Sequence, residues 1–277
     1  MHSVNQYSQQ FKGRVCVVTG GTQGLGEATA RLFAQRGAAG VALCGRNVQN
    51  GESVASSIKQ ETGCPALYVP TDISKPEECA HFVREAGEQF GRIDVFASCA
   101  GTTERGWIDD TTPEIWDRIF ATNVRGPFFM IQEAVKWMRR NPLDDASARG
   151  WIVNVISISA HGGQPFLVPY ASSKGALQTL TKNLAFGLIE DRIRVNGLNI
   201  GWLNTPNEHA VQQSFHHRDP NWLEEAAPLQ PFGRLIEPMD VANAIAFLGS
   251  EESGVVTGSV MDFDQTVIGC RFKKPGE

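Results

Sequence analysis

Short apolar runs alternate with longer stretches of helical periodicity along almost the whole chain. The runs at 14–19, 40–44, 66–70, 93–98, 151–156, 194–198 and 259–263 have strand length. Several are apolar at consecutive positions, the pattern of parallel strands covered by helices on both faces. Between them, helical spacing recurs near 24–36, 47–61, 75–89, 113–140, 170–190 and 238–249. One start signal is well formed: Ser74 as a cap, Pro76 early in the helix, and Glu77 and Glu78 in its first turn. The alternation predicts an α/β fold, a Rossmann-type doubly wound parallel sheet of about seven strands with right-handed crossovers. It reads as a single domain over 1–277, with 1–11 a flexible lead-in. An irregular zone at 202–236 begins just past the sixth strand, on the side where such sheets bind ligands, and is a candidate substrate lid; a solvated helical excursion is the alternative.

The first strand runs into Thr19-Gly20-Gly21-Thr22-Gln23-Gly24-Leu25-Gly26 and then an amphipathic helix. A first glycine permits the tight turn, a middle one lets the backbone approach a pyrophosphate, and a last one lets helix and strand pack closely. The helix N-terminus then offers amides and a positive dipole end to the phosphates. The setting therefore points to a dinucleotide held by Gly20, Thr22, Gln23, Gly24, Leu25 and Gly26.

After the fifth strand stand Ser157 and, thirteen residues on, Tyr170-Ala171-Ser172-Ser173-Lys174. Residues four apart share a helix face, so Tyr170 and Lys174 can address one cleft. A phenol titrates near ~10, and a neighbouring ammonium favours its ionised form. Tyr170 can then pass a proton to a carbonyl or take one from an alcohol, with Ser157 orienting the oxygen. Ser159 is nearby, but strand alternation favours Ser157. His161 lies on the same loop and reads as a surface or supporting residue. Asp109-Asp110 reads as a helix entrance, and Trp107, Trp116, Trp137 and Trp151 as core or interface aromatics.

Composition narrows the partners. With 277 residues and a net charge of -5, the chain lacks the basic balance a nucleic-acid partner needs. No apolar run approaches the ~18 residues of a membrane span, and the polar start carries no signal-peptide pattern. The six cysteines, Cys16, Cys44, Cys64, Cys79, Cys99 and Cys270, are scattered without metal-ligand spacing. A reduced, cytoplasmic protein without a metal is expected.

The glycine spacing, G-x-x-x-G-x-G, resembles that of the short-chain dehydrogenase/reductase family, and the likeness runs from about 12 to 264. Further matches follow in order: Asp72 with Ile73, Ala100-Gly101, Asn123 in Thr122-Asn123-Val124, the Ser157/Tyr170/Lys174 set, Arg194-Val195-Asn196 and Gly201. The resemblance implies an NAD(P)(H)-dependent oxidoreductase acting on a secondary alcohol, a ketone or a sugar-like hydroxyl. It implies catalytic roles for Asn123, Ser157, Tyr170 and Lys174. Asn123 would interrupt the long helix and hold a relay water, which the following Gly126-Pro127 suits. Lys174 would also bond the nicotinamide ribose, and Thr205 the nicotinamide amide. Relatives are commonly homotetramers built through the two long helices.

Gly45 stands at the second-strand tip, where an acid would select NAD, and Arg46 beside it can clamp a 2′-phosphate. NADP(H) is favoured; an NAD-dependent sugar or polyol dehydrogenase stays open, as does a nucleotide-sensing protein without turnover. The chain departs from the family at Ser98-Cys99, at Ile200 in place of a usual proline, and at Phe263-Asp264.

Overall fold

The computed structural model describes residues 9–143, 148–162 and 164–270. Its strands are β1 (Val15–Thr19), β2 (Gly40–Gly45), β3 (Ala66–Pro70), β4 (Val95–Ser98), β5 (Gly150–Val155), β6 (Ile193–Ile200) and β7 (Val260–Phe263). All pair in parallel, in the order β3-β2-β1-β4-β5-β6-β7. The chain winds outward from β1 to β3, returns to β4 beside β1, and then winds the other way. The C-terminal ends of β1 and β4 therefore form the point where strand order reverses, and a crevice opens there.

The helices are α1 (Gly24–Gln35), α2 (Val48–Thr62), α3 (Pro76–Phe90), α4 (Pro113–Phe120), α5 (Gly126–Met138), α6 (Val168–Gly187), α7 (Pro206–Ser214), α8 (Trp222–Ala226) and α9 (Pro238–Leu248). Because successive strand side chains point to opposite faces, each strand feeds two cores. Cys16, Val18, Leu43 and Val153 meet Phe33 of α1, Ile58 of α2 and Ile245 of α9. Val17, Cys44, Phe96 and Ile152 meet Phe82 of α3, Met130 of α5 and Ala185 of α6. That two-sided burial is why the strands read as continuous apolar runs, and each fully buried large side chain contributes roughly 1.5–3 kcal/mol.

Local chemistry sets the boundaries. Asn47 caps α2 by accepting from Asn50 N at 2.9 Å, and Gly63, at φ 75°, ends it with its N–H on Lys59 O. The start of α3 differs from the sequence expectation. Its cap position is Lys75, with Pro76 next, while Ser74 donates from both N (3.0 Å) and Oγ (2.8 Å) to Asp72. Ser74 is turned toward the Asp72 carboxylate, which accepts both of its bonds, instead of accepting from the first-turn amides of α3.

Of the lead-in 1–11, residues 1–8 lie outside the described residues, whereas Gln10 and Phe11 are packed. Gln10 Nε2 donates to Ala246 O (3.2 Å) and Ser250 Oγ (3.0 Å), and Phe11 is buried edge-on against Phe33. The segment 113–140 is two helices joined by a π-helical turn, Ala121–Arg125. Gly126 N bonds Ala121 O, five residues back, and Pro127 lacks the N–H that would have met Asn123 O in an α-helix. Among the described residues, no helix is long and apolar enough to cross a membrane.

Candidate active site

A cavity of about 680 Å³ occupies the crevice at the strand reversal. Its floor is the glycine turn. Gly20 and Gly24 hold φ of 68° and 57°, in the left-handed region that side chains resist. A Cβ on Gly26 would stand 2.1 Å from Gly20 O, so only hydrogen lets α1 close onto the turn. Gln23, at the helix cap position, makes no side-chain cap bond, and the first-turn amides of α1 keep their donors. Leu25 lines the same floor, and Thr22 lies under Gly45, whose Cβ would come within 2.7 Å of the Thr22 methyl. The turn is a cradle that a dinucleotide phosphate fits and a side chain would fill.

The remaining expected binding residues close the walls. Thr19 Oγ1 accepts from Ala100 N at 3.0 Å, fixing Ala100-Gly101 beside the turn. Asp72 and Ile73 line the adenine-side wall, with the exposed Arg46 at its rim. Burial pushes the Asp72 carboxyl up, but its two bonds from Ser74 outweigh that, with Lys75 and Arg46 helping, and hold it below the usual carboxylate range. On the far side, Gly201 N donates to Phe263 O at 3.0 Å. Thr205 caps α7 by accepting from Glu208 N, and a Cβ on Gly24 would lie 3.4 Å from the Thr205 methyl. The start of α7 thus closes over the glycine turn, while the Thr205 O–H stays free to donate.

Three of the four expected catalytic residues face the cavity: Ser157, Tyr170 and Lys174. Ser157 sits at the end of β5 with an extended backbone (φ −165°), and its Oγ accepts from Ser159 N at 3.1 Å. Ser159 itself is turned to Gln164, with its Oγ donating to Oε1 at 2.6 Å. Burial raises the Tyr170 phenol above its usual value; a hydrogen bond with Ser157 and the Arg105 guanidinium pull it back down, and Glu208 opposes them. The Lys174 Nζ lies 5.8 Å from the Tyr170 ring centroid and donates to Val155 O at 3.0 Å. Arg105 is a further cation that lowers the phenol. Burial pushes Lys174 itself down to about 8.

Asn123 sits behind the wall, fully buried in the π-helical turn. Its Oδ1 accepts from Thr102 N (2.9 Å), and its Nδ2 donates to Thr102 O (3.0 Å) and Ser173 Oγ (3.0 Å). A Cβ on Gly101 would lie 3.3 Å from Asn123 Oδ1 and 3.4 Å from Lys174 Nζ, so both converge on this loop.

His161 stands off the cavity, with Nε2 2.8 Å from Asp262 Oδ1 and 3.2 Å from Asn199 Nδ2. The polar residues of 202–236, which hint at a hydroxyl-rich substrate, largely bond one another. Asn204 Nδ2 donates to Glu237 (3.0 Å), and His209 Nε2 meets Asn204 Oδ1 at 2.9 Å. Trp202 Nε1 (2.8 Å) and Gln212 Nε2 (2.6 Å) both donate to Glu208 Oε1. Arg105, Phe166 and Leu167 also face the cavity, together with Asn207, Glu208, Gln212, His216 and Arg218 from that zone. Arg105 and Phe166 escaped sequence reasoning; the one available signal for Arg105 was its place in the loop following β4, at the ligand-binding ends of the strands.

The chain and its fold have counterparts among known proteins. A family model described as enoyl-(acyl carrier protein) reductase matches residues 20–265. Versicolorin reductase 1 of Aspergillus parasiticus is 32% identical over 263 residues, covering 93% of this chain and 97% of that protein. The 3-oxoacyl-[acyl-carrier-protein] reductase of Thermotoga maritima is 32% identical over 261 residues, covering 94% and 99%. L-sorbose reductase of Gluconobacter frateurii, solved with NADPH and L-sorbose, superposes with a TM-score of 0.86 at 28% identity, covering 95% of this chain and all of that one. The chain belongs to the short-chain dehydrogenase/reductase family and is an NAD(P)-dependent oxidoreductase.

Proposed function

We propose that this protein interconverts a secondary alcohol and its ketone with NADP(H), using Tyr170 as the acid/base, Ser157 to orient the reacting oxygen, and Lys174 and Asn123 to support them. The observation that carries the reading is that Ser157, the buried Tyr170 and Lys174 line one cavity floored by the glycine turn. When bound, the nicotinamide supplies the hydride acceptor or donor. In oxidation, Ser157 Oγ holds the substrate hydroxyl and the ionised Tyr170 oxygen takes its proton; in reduction, the Tyr170 O–H returns it to the carbonyl oxygen. Lys174 keeps two Nζ protons beyond its bond to Val155 O, available to ribose hydroxyls. The side chain of Asn123 fixes the Thr102 loop, and its carbonyl, which Pro127 cannot bond within the helix, suits the relay water.

Gly20, Thr22, Gln23, Gly24, Leu25 and Gly26 would hold the pyrophosphate; Asp72, Ile73, Ala100 and Gly101 the adenosine side and ribose; Gly201 and Thr205 the nicotinamide amide. Arg46 and the absence of an acid at Gly45 support NADP(H), as does the NADPH in the L-sorbose reductase structure. The segment 202–236 would act as the lid, since Thr205 already overlies the turn. Homo-oligomerisation through α4, α5 and α6 is supported by exposed Trp116 and Phe186 on those helices. Buried free thiols at Cys16, Cys44, Cys64 and Cys79 fit a cytoplasmic protein.

The test is Tyr170→Phe. Turnover of an alcohol and ketone panel, followed at the nicotinamide absorbance, should fall by roughly 10²–10⁴-fold, with NADPH affinity preserved by fluorescence titration. Undiminished turnover in this variant overturns the assignment.

A further inference from the structure

Among the described residues, the Arg105 guanidinium at the substrate end of the cavity has no carboxylate in salt-bridge contact. Arg105 leaves the loop after β4 and is half-buried, with its Nη1 donating to Thr103 O at 2.9 Å. Its Nη2 faces His216 Nε2 at 3.2 Å, and its Nε is buried with no hydrogen-bond partner. The guanidinium carbon lies 5.6 Å from the Phe166 ring centroid and 5.7 Å from that of Phe215. Among the described residues, no carboxylate comes within ion-pairing distance of it. Arg118, also on the cavity wall, is held by Glu104 at 2.8 Å. Glu208, whose Oε1 accepts from Trp202 and Gln212, acts on Arg105 as a charge at longer range, without a salt-bridge contact. His216 adds no charge, because burial first, and then Arg105, hold its imidazole below the ordinary value and leave a neutral acceptor.

Arg105 is also fixed in register with the catalytic helix. Gly106 N donates to Phe166 O at 3.0 Å and Val168 N to Gly106 O at 3.1 Å, two residues before Tyr170. A Cβ on Gly106 would stand 2.4 Å from Thr111 Oγ1, so glycine permits this close apposition. The guanidinium is therefore pre-placed, and a buried charge without a partner is costly unless a ligand supplies one.

Resting on the hydride-transfer reading above, we propose that the substrate is a hydroxy or oxo acid whose carboxylate is received by Arg105, with its apolar body against Phe166 and Phe215. A single planar fork matches one carboxylate. With aromatic rings on either side of the guanidinium, the site suits an organic carboxylate.

The test uses the full chain. The 2-, 3- and 4-hydroxycyclohexanecarboxylates are compared with their carboxamides, using NADP as oxidant. At least one acid should exceed its amide in kcat/KM by roughly 10- to 100-fold, the range of a charge-assisted hydrogen bond, with the difference lying in KM. Arg105→Met should bring that ratio toward one, and Arg105→Lys should retain part of it. Calorimetric titration with cyclohexanecarboxylate and cyclohexanecarboxamide, which carry no reacting hydroxyl, reads the same site without turnover; the acid should bind wild type and not Arg105→Met, whose fold is checked by circular dichroism. Equal binding of acid and amide, no binding of the acid, or an equal loss of both in Arg105→Met overturns the proposal. Failure of hydride transfer itself would appear as absent turnover of every compound, and calorimetry would still decide the role of Arg105.

Discussion

Replacing Asn123 by alanine tests whether the π-helical turn is held for the sake of the active site. The side chain is fully buried and makes three hydrogen bonds, two to the Thr102 backbone and one to Ser173 Oγ. Ser173 Oγ itself donates to Tyr170 O at 2.7 Å, so it has no second proton and must accept from Asn123. Truncation leaves Ser173 without its donor and strips Thr102 of both partners, although half-exposed Thr102 can recruit water. Neutral hydrogen bonds contribute about 1 kcal/mol each, and the small void adds to the loss, giving roughly 2–4 kcal/mol. For a chain of this size that is a fall in Tm of roughly 4–12 °C. Turnover should drop at least ~10-fold, because Thr102 neighbours Gly101, on which Lys174 converges.

Asn123→Asp gives the sharper reading. Its carboxylate still accepts from Thr102 N but faces Thr102 O and Ser173 Oγ with no proton. Burial raises such an acid in the folded state, so the unfolded chain ionises first, and stability is lost as pH rises above the ordinary carboxyl value near ~3.9. Differential scanning calorimetry across pH, with kcat measured in parallel, decides the matter. Asn123→Ala with unchanged Tm and unchanged kcat would refute the reasoning.

Two further expectations concern the charged groups of the cavity. Arg46→Ala should lower the NADPH-over-NADH ratio of kcat/KM roughly tenfold; an unchanged ratio removes Arg46 from the 2′-phosphate site. Lys174 is a base whose folded-state pKa, about 8, lies below the ordinary lysine value of 10.5, so the unfolded chain binds its proton first as pH falls. Stability therefore rises with pH between those values, by on the order of 3 kcal/mol if nothing relaxes. The stability difference between wild type and Lys174→Met should grow in favour of wild type across that window in chemical denaturation, and a constant difference contradicts the burial argument.

The fold was legible because its signals are local or strictly periodic. Two-sided burial writes each strand as a run such as Val15-Cys16-Val17-Val18, and the glycine turn is dictated by backbone geometry at Gly20, Gly24 and Gly26. The positions of Ser157, Tyr170 and Lys174 follow from the same logic, since the end of β5 and one helix face bring them to the crevice. The break in 113–140 was legible at Gly126-Pro127, but its π form was not, because the register depends on where the buried Asn123 finds partners. Arg105 was invisible for a related reason. Its role arises from Phe166, Phe215 and His216, which are remote in sequence, and from the Gly106 bridge that sets its place beside Tyr170. Helix spacing showed that Lys174 shares a face with Tyr170, but it could not show the second cation, Arg105, that acts on the phenol from another loop.

The departures from the family pattern resolve into one structural feature and one independent substitution. Ile200 pairs in register with Phe263 at the end of β6, while the N–H donors toward β7 include Gly197 and Gly201, the latter on Phe263 O. A Cβ on Gly201 would stand 1.8 Å from Asp264 Oδ1. Asp264 is held there by Thr266, through both its N (3.2 Å) and its hydroxyl. Ile200, Phe263 and Asp264 thus meet at one end of the β6–β7 pair, around Gly201. Ser98-Cys99 stands apart. Ser98 is a buried β4 residue paired in register with Thr19 and Asn154, and Cys99 rests 3.9 Å from Thr29 Oγ1, its thiol pushed up to about 12 by burial. The tie between β4 and the glycine turn runs through Thr19 and Ala100 instead, so these two residues can depart from the family without disturbing the site.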